Sequence, residues 1–144
     1  KSILDLGLTL EYLETQGVPV IGCGTDELPA FFCRDSGHRL DLRLDSAAEI
    51  AAAIHAQRTL GYTGGMVIAN PIPAEHALPR ARIDGAIAAA LHEAQVQGIS
   101  GKAVTPFLLD RINALTGGVS LAANIALVLN NARLAARVAV ALGS

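Results

Sequence analysis

Apolar residues recur along this chain at two spacings, and the switch between them marks out helices and strands. Ser2-Ile3-Leu4-Asp5 has capping-box spacing with Asp in place of the usual Glu, which predicts a helix from just after Lys1 to about Gln16, stopped by Gly17. Val18-Pro19-Val20-Ile21-Gly22-Cys23 is a short apolar run bounded by glycines, the pattern of a buried strand. Pro29-Ala30-Phe31-Phe32 follows, and then Leu40, Leu42 and Leu44 alternate with Arg39, Asp41 and Arg43 as in a strand with one wet face.

Ser46 and Glu49 form a full capping box ahead of an alanine-rich helix expected to end near Gly61. Met66-Val67-Ile68-Ala69 reads as a second buried strand, closed by Asn70-Pro71, which suits neither a continuing helix nor a central ladder. A long helix is expected over residues 80–97. Thr105-Pro106 then offers an N-cap and a first-turn proline for a helix to Thr116, and after Gly117-Gly118 a last helix capped by Ser120 runs to near Gly143. The order helix, strand, strand, helix, strand and three helices predicts an α/β fold, layered α/β/α around a mixed sheet, with the C-terminal helices packed on it. No internal repeat or linker divides residues 1–144, so one domain is expected.

Composition narrows the classes. At 144 residues, 51% of them hydrophobic, the chain can bury a core. Its net charge of −2 comes from interspersed residues of both signs, with no basic stripe to neutralise nucleic-acid phosphates. Cys23 and Cys33 are too few for a disulfide framework and lack zinc-site spacing, which favours a reducing, cytoplasmic setting. Residues 120–142 match a bilayer span in length. Asn124, Asn130, Asn131, Arg133 and Arg137 interrupt that stretch, however, so a core helix is the expectation and no membrane is assigned.

Most candidate chemistry is weak on its own. His38, His55, His76 and His92 lack the helical i, i+4 pairing of a metal site, and Cys33, Asp35 and His38 have no further ligand at a known spacing. Gly64-Gly65 lacks both the Gly-x-Gly-x-x-Gly pattern and a following helix, which removes a dinucleotide loop and weakens a nucleotide-binding regulatory reading. Thr105 has two readings: a simple helix cap, or a hydroxyl and N–H donor to an anion. Lys102 is equally a phosphate contact or a solvated loop lysine. Asn124 shares a helical stripe with Leu127, Val128 and Asn131, so two amides are expected to face an apolar interior and to need partners there, from the backbone or from a polar substrate.

Several blocks in order carry a more specific signal: Lys1-Ser2-Ile3-Leu4-Asp5, Thr9-Leu10-Glu11-Tyr12-Leu13-Glu14-Thr15, Gly17-Val18-Pro19-Val20, Pro29-Ala30-Phe31, Ala69-Asn70-Pro71-Ile72-Pro73, residues 98–109 and residues 120–128. Together they resemble the C-terminal half of the pseudouridine-5'-phosphate glycosidase family, which also includes proteins associated with indigoidine synthesis. The resemblance implies cleavage of the C–C glycosidic bond of pseudouridine 5'-phosphate to uracil and ribose 5-phosphate. It implies that Lys1 is the nucleophile that forms an imine with C1' of the sugar, and that Asn124 is an active-site asparagine. Asn131 and Thr105 are the weaker candidates for substrate binding.

Imine chemistry suits such a bond. Its cleavage leaves electrons on uracil C5, so an acid must protonate that carbon while an iminium holds the sugar. Lysine attacks only when neutral, whereas an unperturbed lysine is protonated at neutral pH; a place just before a helix N-terminus disfavours the ammonium. The family's general-acid glutamate, second lysine, phosphate-binding groups and Mn²⁺-associated aspartate have no counterpart in these blocks. Metal ligands are therefore expected outside this chain, in the N-terminal half, and a homotrimer is implied. The alternatives are a non-catalytic α/β interaction fragment and an indigoidine-pathway member.

Overall fold

A computed structural model describes residues 5–143; the expected capping role of Ser2 and the position of Lys1 lie outside them. Helix α1 spans Leu6–Thr15, and its N-cap is Asp5, whose carboxylate accepts from the Leu8 N–H at 2.9 Å. Asp5 is thus the cap itself, where the sequence reading had placed it three residues inside the helix. An acceptor with extended backbone just before the first turn satisfies the orphan donors better than an interior Asp can. Strand β1 is Val20–Cys23, β2 is Leu42–Leu44, helix α2 is Ala47–Thr59 and β3 is Val67–Ala69. A 3₁₀ turn at Ala74–His76 leads to α3, Arg80–Val96. A second at Gly101–Ala103 leads to α4, Val104–Leu115, and α5 follows at Val119–Leu142.

The α/β order is the expected one, but the sense of the sheet is not. The three strands lie in the order β2-β1-β3, and β1 pairs in parallel with both neighbours, Ile21 standing opposite Leu42 and Ile68. Among the described residues, antiparallel pairing is confined to two isolated bridges in the loop after β1, Glu27 with Arg39 and Ala30 with Cys33. Long connections, one of them through α2, return each strand in the same direction, as parallel pairing requires. The alternation around Leu42 had suggested a strand with one buried face. Instead β2 is a short edge strand, and Leu42 is 51% exposed.

Gly22 is needed where β1 meets the loop that folds back over it. A Cβ there would stand 2.0 Å from the Thr25 carbonyl oxygen, so no other residue fits without moving backbone. The α2 capping box forms as read: the Glu49 N–H donates to Ser46 Oγ at 3.1 Å, and the Ser46 N–H donates back to Glu49 Oε2 at 2.9 Å.

The main core joins Ile83, Ile87, Ala90 and Ala94 of α3 to Leu108 and Ile112 of α4 and to Ala123 and Leu127 of α5, with Phe32, Cys33 and Ile72 from the loops. Further along, α5 packs against α2. Its buried residues are Ser120, Ala123, Leu127 and Leu134. That stripe is rotated from the expected one: Val128 is 57% exposed and Asn131 lies outside the core.

Candidate active site

Helix α4 ends in a tight turn that aims the start of α5. Gly117 and Gly118 take positive φ values of 66° and 87°, which glycine adopts without a Cβ clash. The Gly118 N–H donates to the Asn113 carbonyl at 3.0 Å. Thr116 Oγ1 donates to the Ile112 carbonyl at 2.8 Å and accepts from the Ser120 N–H at 3.3 Å. The expected Ser120 cap is therefore replaced: Gly118 is the N-cap residue, and Ser120 lies buried one residue inside the helix, where Thr116 serves its N–H.

On either side of this turn, Asn113 and Ser120 line a cavity of about 300 Å³ together with Phe32, Leu109, Asp110, Leu121 and Asn124. Asn124 projects from α5 while Asp110 and Asn113, three residues apart on α4, face it. Asn113 Oδ1 is buried and has no hydrogen-bond partner among the described residues. The Phe32 wall depends on an unusual backbone. Phe31 has φ 63°, a left-handed conformation that strains a bulky residue, and the turn it makes between Ala30 and Cys33 drives Phe32 into the core. The two rings meet edge to face, with centroids 4.7 Å apart.

Charge fixes α4 in place. Arg111 Nε and Nη2 donate to the two carboxylate oxygens of Glu93 on α3 at 2.6 and 2.8 Å, the bidentate geometry that best orients a guanidinium. The Arg111 hydrogen bond holds the Glu93 carboxyl below the usual glutamate range.

The other residues singled out from the sequence are spread apart. Asn131 lies two turns beyond Asn124, about 10 Å along the axis. It lines a separate groove of about 460 Å³ with Asn70, Ile50, Ile54, Ile68 and Leu134. There Asn131 Oδ1 accepts from Asn70 Nδ2 at 2.9 Å, and Asn130 Nδ2 donates to the Pro71 carbonyl at 3.0 Å. Two of the amides thus attach α5 to the Asn70-Pro71 corner. Thr105 is the second residue of α4 and makes no cap hydrogen bond; Ala103, the last residue of the 3₁₀ turn, stands at the cap position, and Pro106 is the third helical residue. The early start of α4 leaves Pro106 within the first turn, where its missing N–H costs no helical bond. Lys102 is exposed.

Cys33 is spent on the core. Its Sγ–H donates to the Leu78 carbonyl at 3.3 Å, and burial pushes the thiol pKa up, away from nucleophilic use. Among the described residues no three His, Cys, Asp or Glu side chains come together to hold a metal ion, so this donor set does not fit Mn²⁺. Sequence reasoning missed Asp110 and Asn113. Their i, i+3 spacing on α4 was visible, but nothing in the pattern told which helix that face would meet.

Comparison with known proteins places the chain as a whole. Residues 1–141 match the family described as indigoidine synthase A like protein. The chain is 63% identical over 139 residues to a pseudouridine-5'-phosphate glycosidase of Geobacillus kaustophilus, covering 96% of this chain and 46% of that protein. It is 58% identical over 139 residues to the glycosidase of the same name from Escherichia coli, covering 96% and 45%. Among solved structures, the prealnumycin C-glycosynthase AlnA in complex with ribulose 5-phosphate superposes with a TM-score of 0.87 at 39% identity, over 99% of this chain and 47% of that one. An indigoidine synthase A-like protein from Thermotoga maritima gives 0.88 at 35% identity, with the same coverage. The chain thus spans about half the length of the relatives it matches. It belongs to the indigoidine synthase A like family.

Proposed function

We propose that this chain is the C-terminal half of a pseudouridine-5'-phosphate glycosidase, a single α/β domain when joined to its N-terminal half. The observation that carries the reading is the 63% identity to a glycosidase of that name along nearly the whole chain. Within it, the cavity between α4 and α5 that Asn124 lines is the recess assigned to substrate.

In this reading the Lys1 amine attacks C1' of the ribose, the C1'–O4' bond opens with a proton going to O4', and the nitrogen lone pair then forms an iminium as the bond to uracil C5 breaks. A proton delivered to C5 completes uracil, and water then releases ribose 5-phosphate from the lysine. Asn124 orients the substrate by hydrogen bonding, while Phe32, Leu109 and Leu121 offer it apolar walls. Mn²⁺, if used, is held by residues outside this chain and orders polar groups there. The enzyme is read as cytoplasmic and homotrimeric; α5 offers an apolar face for such assembly, and its Asn130 and Asn131 contacts favour docking on protein over spanning a bilayer. Thr105 and Asn131 keep at most secondary substrate roles.

The test is chromatographic assay of uracil released by the full-length protein. Pseudouridine 5'-phosphate should be cleaved and the N-glycoside uridine 5'-phosphate spared; equal turnover of both rejects the reading. Formation of a C-glycosidic bond is a second reading, favoured by the likeness to a C-glycosynthase. Net synthesis from uracil and ribose 5-phosphate, with no measurable cleavage, would select it.

A further inference from the structure

Helix α5 is apolar on two faces, and the chain covers one of them. Ala123, Leu127 and Leu134 are buried against the rest of the fold. On the other side Leu121, Ile125, Val128, Ala132, Ala135 and Ala139 are all exposed. Alternating steps of four and three residues separate them, the spacing of a straight seam that a second helix fills. A helix apolar all round belongs inside a larger assembly or in a bilayer. Asn130 and Asn131 tie α5 to the Asn70-Pro71 corner, and two arginines lie along it, which disfavours the bilayer.

Side-chain size sets how a partner helix lies on this seam. Alanines occupy its C-terminal half, so two helices can approach closely there and stand further apart beside Leu121. Leu121 also lines the Asn124 cavity and is 51% exposed. A helix that covers Leu121 therefore borders the cavity as well. Leu129 lies about a quarter turn round from the seam and remains available to a neighbouring subunit.

Charge separates the candidate partners. The charged side chains of α5 are Arg133 and Arg137; both are exposed, and neither forms an ion pair among the described residues. A second α5 laid along the seam brings more arginine, whereas a helix with an acidic side chain on its flank complements Arg133. Such a helix has a source, because more than half of the 63%-identical relative lies outside the region this chain matches.

We propose that the exposed seam of α5 seats a helix from the other half of the same protein molecule, and that this helix forms one wall of the Asn124 cavity. The inference rests on the reading of this chain as one half of a glycosidase.

The experiment places a diazirine analogue of leucine at Ile125 of the full-length protein, a change close in size and polarity. Subunits of isotope-labelled and unlabelled protein are mixed by refolding, irradiated with and without phospholipid vesicles, and mapped by peptide mass. Crosslinks should join position 125 to a segment outside these 144 residues, always within one molecule. Crosslinks between differently labelled molecules, capture by lipid, or reaction with water alone each overturn the proposal. The wall is tested with Ala132→Met, about 12 Å along the axis from Asn124 and outside the cavity lining. By wedging the docked helix away, it should lower the melting temperature of the full-length enzyme and raise KM severalfold, while Ala132→Ser stays near wild type in both. A lowered melting temperature with unchanged KM overturns the wall assignment. Absence of cleavage by wild type rejects the glycosidase reading, and the crosslinks then still report whether the seam is covered.

Discussion

Asn130 Nδ2 donates to the carbonyl oxygen of Pro71 at 3.0 Å, joining the middle of α5 to the corner after β3 across 59 residues of sequence. Asn70 and Asn131 make a second bond beside it. Because α5 is one rigid helix, this attachment also sets the height and rotation at which Asn124 meets α4 six residues earlier. Asn130→Ala should cost about 1 kcal/mol of stability, the worth of one partly buried hydrogen bond. In the full-length enzyme it should also weaken substrate binding by loosening Asn124. Chemical denaturation and KM measured on the same preparation check both parts.

The Glu93–Arg111 pair makes a pH-dependent contribution that can be read from its sign. The folded carboxyl titrates below the ordinary glutamate value of 4.5, chiefly through the Arg111 hydrogen bond. A depressed carboxyl stabilises the fold above its unfolded value and loses that contribution as the pH falls through the folded one. Both side chains are about a third exposed, so solvent screens the effect. Glu93→Gln should accordingly lower the melting temperature modestly near neutral pH and leave it unchanged at a pH where both proteins carry a neutral group. A difference that persists undiminished in acid would show that the pair acts through packing instead.

Much of the fold was legible in local chemistry. The Ser46 and Glu49 box, the stop at Gly17, the strand around Ile21 and the helix from Arg80 follow from capping, glycine and periodicity. The errors arose where tertiary contacts override a local signal. Thr105-Pro106 is a good helix start by itself, yet the 3₁₀ turn over Gly101–Ala103 begins α4 earlier. Leu42 alternates correctly but stands on an edge strand. At the candidate site, Asn124 was singled out by the family resemblance, whereas the stripe expected to carry it inward is rotated, with Val128 exposed. Asn113, which lines the same cavity as Asn124, was not singled out, since the way α4 meets α5 depends on the Gly117-Gly118 turn.

The capping box offers a clean test of local design. Ser46 Oγ accepts from the Glu49 N–H in an exposed first turn, far from the Asn124 cavity. Ser46→Ala should destabilise by about 1 kcal/mol, and Ser46→Asp should retain most of the stability because its carboxylate can accept the same bond. In the full-length enzyme neither change should alter KM. Equal loss in both variants, read by thermal melting, would assign the effect to something other than the cap.

The 144-residue chain by itself should associate. Helix α5 is long and apolar enough to cross a membrane, yet little of it is covered within the chain: Leu121, Ile125, Val128 and Leu129 are all exposed, as is Leu42 on the open edge of the sheet. Contiguous apolar surface beyond a few hundred Å² marks an interface in most proteins, and each Å² withdrawn from water contributes roughly 25 cal/mol. The relatives are about twice as long as this chain, so the other half of such a protein, or a neighbouring subunit, is the natural cover. Sedimentation at micromolar concentration should show oligomers that bind a hydrophobic dye. Ile125→Lys with Leu129→Lys should shift the distribution toward monomer, because both positions face solvent and neither lines the Asn124 cavity. A wild-type chain that sediments as a compact monomer without dye binding would mean that the α5 face needs no cover, and that the remaining half of such a protein packs elsewhere.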